Sequence, residues 1–360
     1  MIRRVLMPSL LAALLVAGIL GVRPAHAGAP AVACTGDPTA VNTVSFGATF
    51  AYYAVPAKHP RGVVVFDHGY GHNPEGWVAH LTDTAKRDQV IAVAPEYTGT
   101  PTYTDSLGGQ QYSPTVDYSR GWKVAEGAQD SIAVAKLFDD SCGGLRTNVI
   151  YGVSMGGNAS GLVAATKAAR KDGKPLFDYW FDVEGVTNVT ETYLEARSFK
   201  NTGSTFAANA QSDIENEMGG PIEQNPGAYL AHTVVAQDVT ASGIRGVVLV
   251  HGVDDGTVPY DQTREMAARL RQLGLPNDVF TVGTHGPSNE SGGTIENDID
   301  PSFSSPFSGH GDEAHFNQLV IKTGFDRLAA LYDQHDIPAC REFFVDGTLA
   351  TTAPLPSLPC

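Results

Sequence analysis

The chain has 360 residues, with 24 Lys and Arg against 39 Asp and Glu, and a formal net charge of −15. A protein this acidic cannot hold nucleic acid by neutralising phosphates, so nucleic-acid partners are excluded. With 42% hydrophobic and 18% charged residues it can fill a large core, either as one α/β domain or as one domain with an insertion.

Arg3 and Arg4 precede an apolar run over about 5–20, and Ala25-His26-Ala27 supplies a small-x-small cleavage site. That order predicts a secretory signal peptide over residues 1–27 and a secreted mature domain over 28–360. Cleavage there leaves 333 residues. Arg3, Arg4 and Arg23 depart with the leader and no acid does, so the mature charge becomes −18. No later segment has the roughly 20 apolar residues a spanning helix needs, and no stable membrane insertion is expected. Cys34, Cys142, Cys340 and Cys360 all lie in the mature chain, and an even number in an exported protein suggests two disulfides. We expect Cys34–Cys142, tying the entry segment to the domain, and Cys340–Cys360, closing a short loop in a Pro-rich tail.

From residue 63 onward apolar runs alternate with helical patterns. Residues 63–66 form an apolar run that ends at Asp67-His68-Gly69-Tyr70-Gly71. Trp77, Leu81 and Ala85 recur at helical spacing, and a second run over 90–94 is stopped by Pro95. Val124, Ala128, Ile132 and Leu137 predict a helix ending near Cys142. Val149-Ile150-Tyr151 runs into Gly152, and a helix-compatible stretch follows over about 157–170. Strands are predicted at 179–183, 247–250 and 279–282, the last of these closing the series. Met266, Leu270 and Leu273 mark a helix closed by Gly274, and Phe316, Leu319, Val320, Phe325 and Leu328 line a final one. Continuous apolar strands between helices imply a mostly parallel sheet covered on both faces, with its ligand site at the carboxyl ends of the strands. Two stretches break the alternation. The first, about 187–242, reads as a small cap insertion over the site, and the second, about 285–309, as an active-site loop.

Gly152-Val153-Ser154-Met155-Gly156-Gly157 matches G-x-S-x-G between an apolar strand and a small-residue helix. In that setting the turn holds the serine in a strained conformation, and neighbouring side chains would collide, so glycines flank it. Val247-Val248-Leu249-Val250 ends in His251-Gly252-Val253-Asp254-Asp255-Gly256. An acid at such a strand end can orient a histidine, and by position Asp254 and Asp255 both qualify, one of them as a turn cap. A general base must follow the last predicted strand, where His285, His310 and His315 stand.

These landmarks resemble the α/β-hydrolase superfamily over about 63 to 330. The resemblance rests on His68-Gly69-Tyr70-Gly71, on Gly152-Val153-Ser154-Met155-Gly156-Gly157 and on His251-Gly252-Val253-Asp254-Asp255-Gly256-Thr257-Val258-Pro259. It implies the α/β-hydrolase fold, a mostly parallel central sheet with helices on both faces. It also implies Ser154 as nucleophile, and Asp255, the fifth position of the H-G-x-x-D pattern, as the acid. The order Ser, Asp, His matches the family. The oxyanion hole would be the N–H groups of Tyr70 and Met155, one from the loop after an early strand and one following the nucleophile. His68 is read as support for its loop. His310 is the expected base: Ser308-Gly309-His310-Gly311 leaves room for the ring to reach across, and the helix after it anchors the loop. His285 is the rival, and His315 reads as a packing or capping residue.

Secreted esterases and lipases share these landmarks with the catalytic domains of prolyl-oligopeptidase-like peptidases. The leading expectation is hydrolysis of a carboxylic ester, small or polymeric, through an acyl-enzyme. A peptidase of the S9 kind is the alternative, although no propeller is expected before Val63. A non-catalytic hydrolase-like binding protein is a third reading. His310-Gly311-Asp312-Glu313-Ala314-His315 has ligand-type residues without the H-E-x-x-H spacing, so no metal and no cofactor are expected.

Overall fold

The computed structural model describes residues 31–100, 117–283, 309–311, 313, 314, 318–333, 336–346, 351–354 and 360. The expected signal peptide, His285, His315 and Phe316 lie outside the described residues, as does the expected loop apart from Gly309.

Each predicted apolar run is a strand. β3 (Val63–Asp67), β4 (Ile91–Pro95), β5 (Val149–Val153), β6 (Tyr179–Val183), β7 (Gly246–Gly252) and β8 (Asn277–Gly283) are buried along their whole lengths. They pair in parallel in the order β4-β3-β5-β6-β7-β8. Burial on both faces is why these runs show no alternation of apolar and polar residues. The sheet extends at both edges with strands the sequence reading did not place. β1 (Asn42–Phe46) and β2 (Thr49–Ala54) form a hairpin, antiparallel on β4. β9 (Arg341–Asp346) adds in parallel to β8, and β10 (Thr351–Pro354) pairs antiparallel with β9. The run at 279–282 is therefore not the last strand. β9 carries no apolar signal at its start because it begins with charge: Arg341 is held by a bidentate pair with the buried Asp278, at 2.7 Å for each contact.

Side chains alternate across the strands, so each strand feeds two cores. Val65, Ile91, Ile150, Trp180, Val247 and Leu249 pack on α2 (Val124–Cys142), α3 (Met155–Ala165) and α7 (Tyr260–Gln272). Phe66, Ala92, Tyr151, Phe181, Val248 and Val250 pack on α1 (Val78–Asp88) and α8 (Leu319–Tyr332). Helix α3 is shorter than the predicted 157–170. Thr166 is already extended, at φ −97° and ψ 132°. Beyond it Arg170 reaches Leu145 O at 2.8 Å and pairs with Asp178, which draws the chain out of the helix.

Between β6 and β7 stand α4 (Val189–Phe199), α5 (Thr205–Met218) and α6 (Pro226–His232). Their apolar faces form a third cluster with Tyr70, Tyr97, Trp122 and Met155. These three helices are thus seated at the carboxyl edge of the sheet. The disulfides are Cys34–Cys142 and Cys340–Cys360, the expected pairing. Among the described residues no helix is long and apolar enough to cross a membrane.

Candidate active site

β5 delivers Ser154 and α3 leaves from it within one residue. That reversal puts Ser154 at φ +56° and ψ −124°, in a region a non-glycine residue occupies only when its surroundings enforce it. The glycines around it permit the close approach. A Cβ on Gly152 would lie 2.1 Å from Gly156 O, and one on Gly156 would lie 2.2 Å from Asp67 O. Met155 opens α3, so its N–H is among those a helix leaves without an internal acceptor.

The three residues expected to form a triad converge. Ser154 Oγ is 3.0 Å from His310 Nε2, and His310 Nδ1 is 2.8 Å from Asp255 Oδ2. A proton on Nδ1 satisfies both contacts: Nδ1–H donates to the carboxylate and Nε2 accepts from the serine hydroxyl. All three groups are buried. Asp254, half-buried, is not the residue turned to His310.

Asp255 is well satisfied. Its Oδ1 accepts the N–H groups of Thr257 at 2.9 Å and Val258 at 2.8 Å. Its Oδ2 also lies 3.2 Å from Nε2 of His251. Burial pushes this carboxyl's pKa up, but His310 and His251 outweigh burial and hold it well below the usual carboxylate range. His251 is itself fixed, with Nδ1 2.7 Å from Thr263 Oγ1 and Nε2 2.8 Å from Val258 O. It stands first in the H-G-x-x-D pattern, so the motif contained it, but without a stated role.

Glu184 has no counterpart in the sequence reading. It follows β6 at φ +51° and is completely buried. Its carboxylate accepts the N–H of Gly252 at 3.0 Å and the N–H of Gly311, next to His310, and lies 4.0 Å from His310 Nδ1. Burial and the neighbouring Asp255 push its pKa well above the usual range. It stands one residue beyond the predicted strand 179–183. Glu184, Asp255 and His310 place three ligand-type atoms within 4.8 Å of one another, but each atom already serves a hydrogen bond or ion pair inside the protein.

Tyr70 lies on the turn after β3, beside the serine: a Cβ on the preceding Gly69 would stand 3.6 Å from Ser154 Cβ. The Tyr70 ring packs on Tyr118, Trp122 and Phe206, and its hydroxyl bonds Asp213 of α5. His68 stacks on Tyr97 at 4.0 Å, and its Nδ1 is 3.2 Å from Gly69 O, in keeping with a supporting role.

This sheet order, with the serine turn after β5 and the acid after β7, is the α/β-hydrolase fold, and solved structures share it. An esterase from Pyrobaculum calidifontis matches with a TM-score of 0.55 and 15% identity, over 83% of this chain and 86% of its own. A carboxyl esterase from the mycorrhizal fungus Tuber melanosporum matches with a TM-score of 0.52 and 15% identity, over 82% and 85%. A puromycin-hydrolyzing peptidase of Mycobacterium tuberculosis matches with a TM-score of 0.51 and 17% identity, over 79% of this chain and 38% of its own. No family model and no curated protein sequence matches the chain.

Proposed function

We propose that this chain is an exported serine hydrolase that cleaves carboxylic esters through an acyl-enzyme. The observation that carries the reading is the continuous line from Asp255 Oδ2 through His310 to Ser154 Oγ, at 2.8 and 3.0 Å. Ser154 Oγ adds to the acyl carbon while His310 Nε2 takes its proton. The oxyanion rests on the N–H groups of Tyr70 and Met155. Collapse breaks the bond to the alcohol, which leaves with the proton from His310. Water then attacks the acyl-enzyme by the same route, and the acid and free Ser154 are released. Asp255 stays ionised and steadies the imidazolium, which is what its depressed pKa supports.

An exported location is supported by the leader-like N-terminus and by two disulfides with no free cysteine. A peptidase is the second reading, supported by the peptidase among the structures of like fold. The match covers most of each esterase and 38% of that peptidase. The test is a panel of p-nitrophenyl esters of increasing chain length beside aminoacyl-p-nitroanilides, together with a fluorophosphonate probe. Labelling of Ser154 with turnover of esters is expected. Turnover of anilides alone would replace the ester reading with the peptidase one, and labelling unchanged in Ser154→Ala would remove the nucleophile.

A further inference from the structure

Glu313 stands three residues after His310 and is 1% exposed. A buried carboxylate is costly unless donors meet it, and the donors that meet this one belong to the turn that carries Tyr70. Its Oε1 accepts the N–H of Gly69 at 3.1 Å and lies 3.3 Å from Nδ1 of His72. The turn closes on itself as well, His72 N–H donating to Gly69 O at 3.1 Å. The stem of Glu313 fits a slot shaped for it. A Cβ on Gly76 would come within 2.8 Å of its Cγ, and the ring of His80 on α1 bonds its backbone. Residues 69 and 72 bracket Tyr70, so the carboxylate fixes the peptide just before the expected oxyanion donor.

We propose that Glu313 is a positioning residue for the oxyanion hole: by holding Gly69 N–H and the His72 ring it aims the N–H of Tyr70 at the developing oxyanion. The proposal rests on the serine-hydrolase reading above. One short segment then performs two tasks. Through His310 it supplies the base, and through Glu313 it sets the donor geometry on the opposite side of the acyl carbon. Donors contribute to catalysis only when held in place before the charge appears, so a turn free to rotate by a few tenths of an ångström would lose transition-state binding and keep substrate binding.

The test compares Glu313→Met, which fills the slot without an acceptor, with Glu313→Gln, whose amide oxygen can still take the Gly69 N–H. Read on one activated ester, Glu313→Met should lower kcat about tenfold to a hundredfold with KM within about twofold. Its inhibition constant for an alkylboronic acid, a tetrahedral oxyanion mimic, should rise by the same factor. Glu313→Gln should restore most of both. Wild-type kcat in a folded Glu313→Met, or a loss that appears in KM with boronate affinity unchanged, overturns the proposal. Should Glu313→Met fail to fold, His72→Leu removes the other contact to the same oxygen. A fall in kcat of about twofold or more, matched in boronate affinity, supports the proposal, and no change in either overturns it. A wild-type protein that neither takes a fluorophosphonate nor hydrolyses any ester refutes the serine-hydrolase reading instead. One that does both while Glu313→Met behaves as wild type refutes the positioning role alone.

Discussion

Ser154 stands on a turn fixed by its own neighbours in sequence, with β5 ending at Val153 and α3 starting at Met155. His310, 3.0 Å away, stands on a segment that is neither strand nor helix, and distant residues hold it. Asp255 accepts a hydrogen bond from its Nδ1–H, and Glu184 from the end of β6 accepts one from the N–H of Gly311. Gln318 donates to its carbonyl at 3.2 Å, and three residues on, Glu313 joins the segment to the turn after β3. The proposed nucleophile is thus set by backbone geometry and the proposed base by buried carboxylates. A local device tolerates loss of a distant partner, whereas a segment held by tertiary hydrogen bonds moves when one is removed.

The largest expected effect tests the local device. Ser154→Ala should lower kcat by a factor on the order of 10⁶ and abolish fluorophosphonate labelling. Ser154→Gly should be equally inactive but melt at a higher temperature, because glycine accepts a φ of +56° without strain. A lower melting temperature for the glycine variant would mean that the turn holds no strain.

Next come the two acids after β7. Asp255→Asn should lower kcat about 10⁴-fold by losing the tautomer that presents Nε2 to the serine. Asp254→Asn should stay within a few-fold of wild type, and the reverse ranking would move the acid back one residue. Glu184→Ala should cost less, about tenfold to a hundredfold in kcat, by letting Gly311 and the adjacent base shift. Wild-type kcat in that variant would show that the position of His310 does not depend on Glu184.

The smallest effect is on stability and concerns what lies beneath the turn that carries Ser154. Asp182 of β6 is completely buried, and neither carboxyl oxygen has a hydrogen-bond partner. Burial pushes its pKa up to about 8, so the folded protein keeps a proton that the unfolded chain gives up near pH 4. Its contribution is therefore fully present below the unfolded pKa and is lost as pH rises from about 4 through about 8. Asp182→Asn should raise Tm by a few degrees at pH 8 and change it little at pH 4, as calorimetry at the two values would read. An equal shift at both pH values would mean that packing, and not ionisation, separates the two proteins.

The parallel core was legible because strands buried on both faces must be apolar throughout, and a helix must turn one face inward at a fixed period. The edge strands were not. β1, with Asn42, Thr43 and Ser45, and β9, opening on Arg341 and Glu342, are half-exposed, and half-exposed strands carry no continuous apolar signal. The end of α3 was misplaced for a similar reason. The residues after Thr166 have helical composition, and it is Asp178 and Leu145 O, distant in sequence, that bind Arg170 and take them elsewhere.

By itself the sequence determined the succession of central strands and helices along the chain and the two strand ends that bear Ser154 and the Asp254-Asp255 pair. Backbone demands at a sharp turn and burial along a strand are local, and each leaves a pattern in consecutive residues. Only the tertiary structure decided which carboxylate meets which histidine, that His251 braces Asp255, and that Glu184 and Glu313 fasten the segment carrying His310. Gly69 and Glu313 are separated by 244 residues, and Glu184 and Gly311 by 127. Contacts at that distance form because a buried carboxylate must find donors wherever the fold supplies them, and one Glu in a sequence says nothing of where those donors will be.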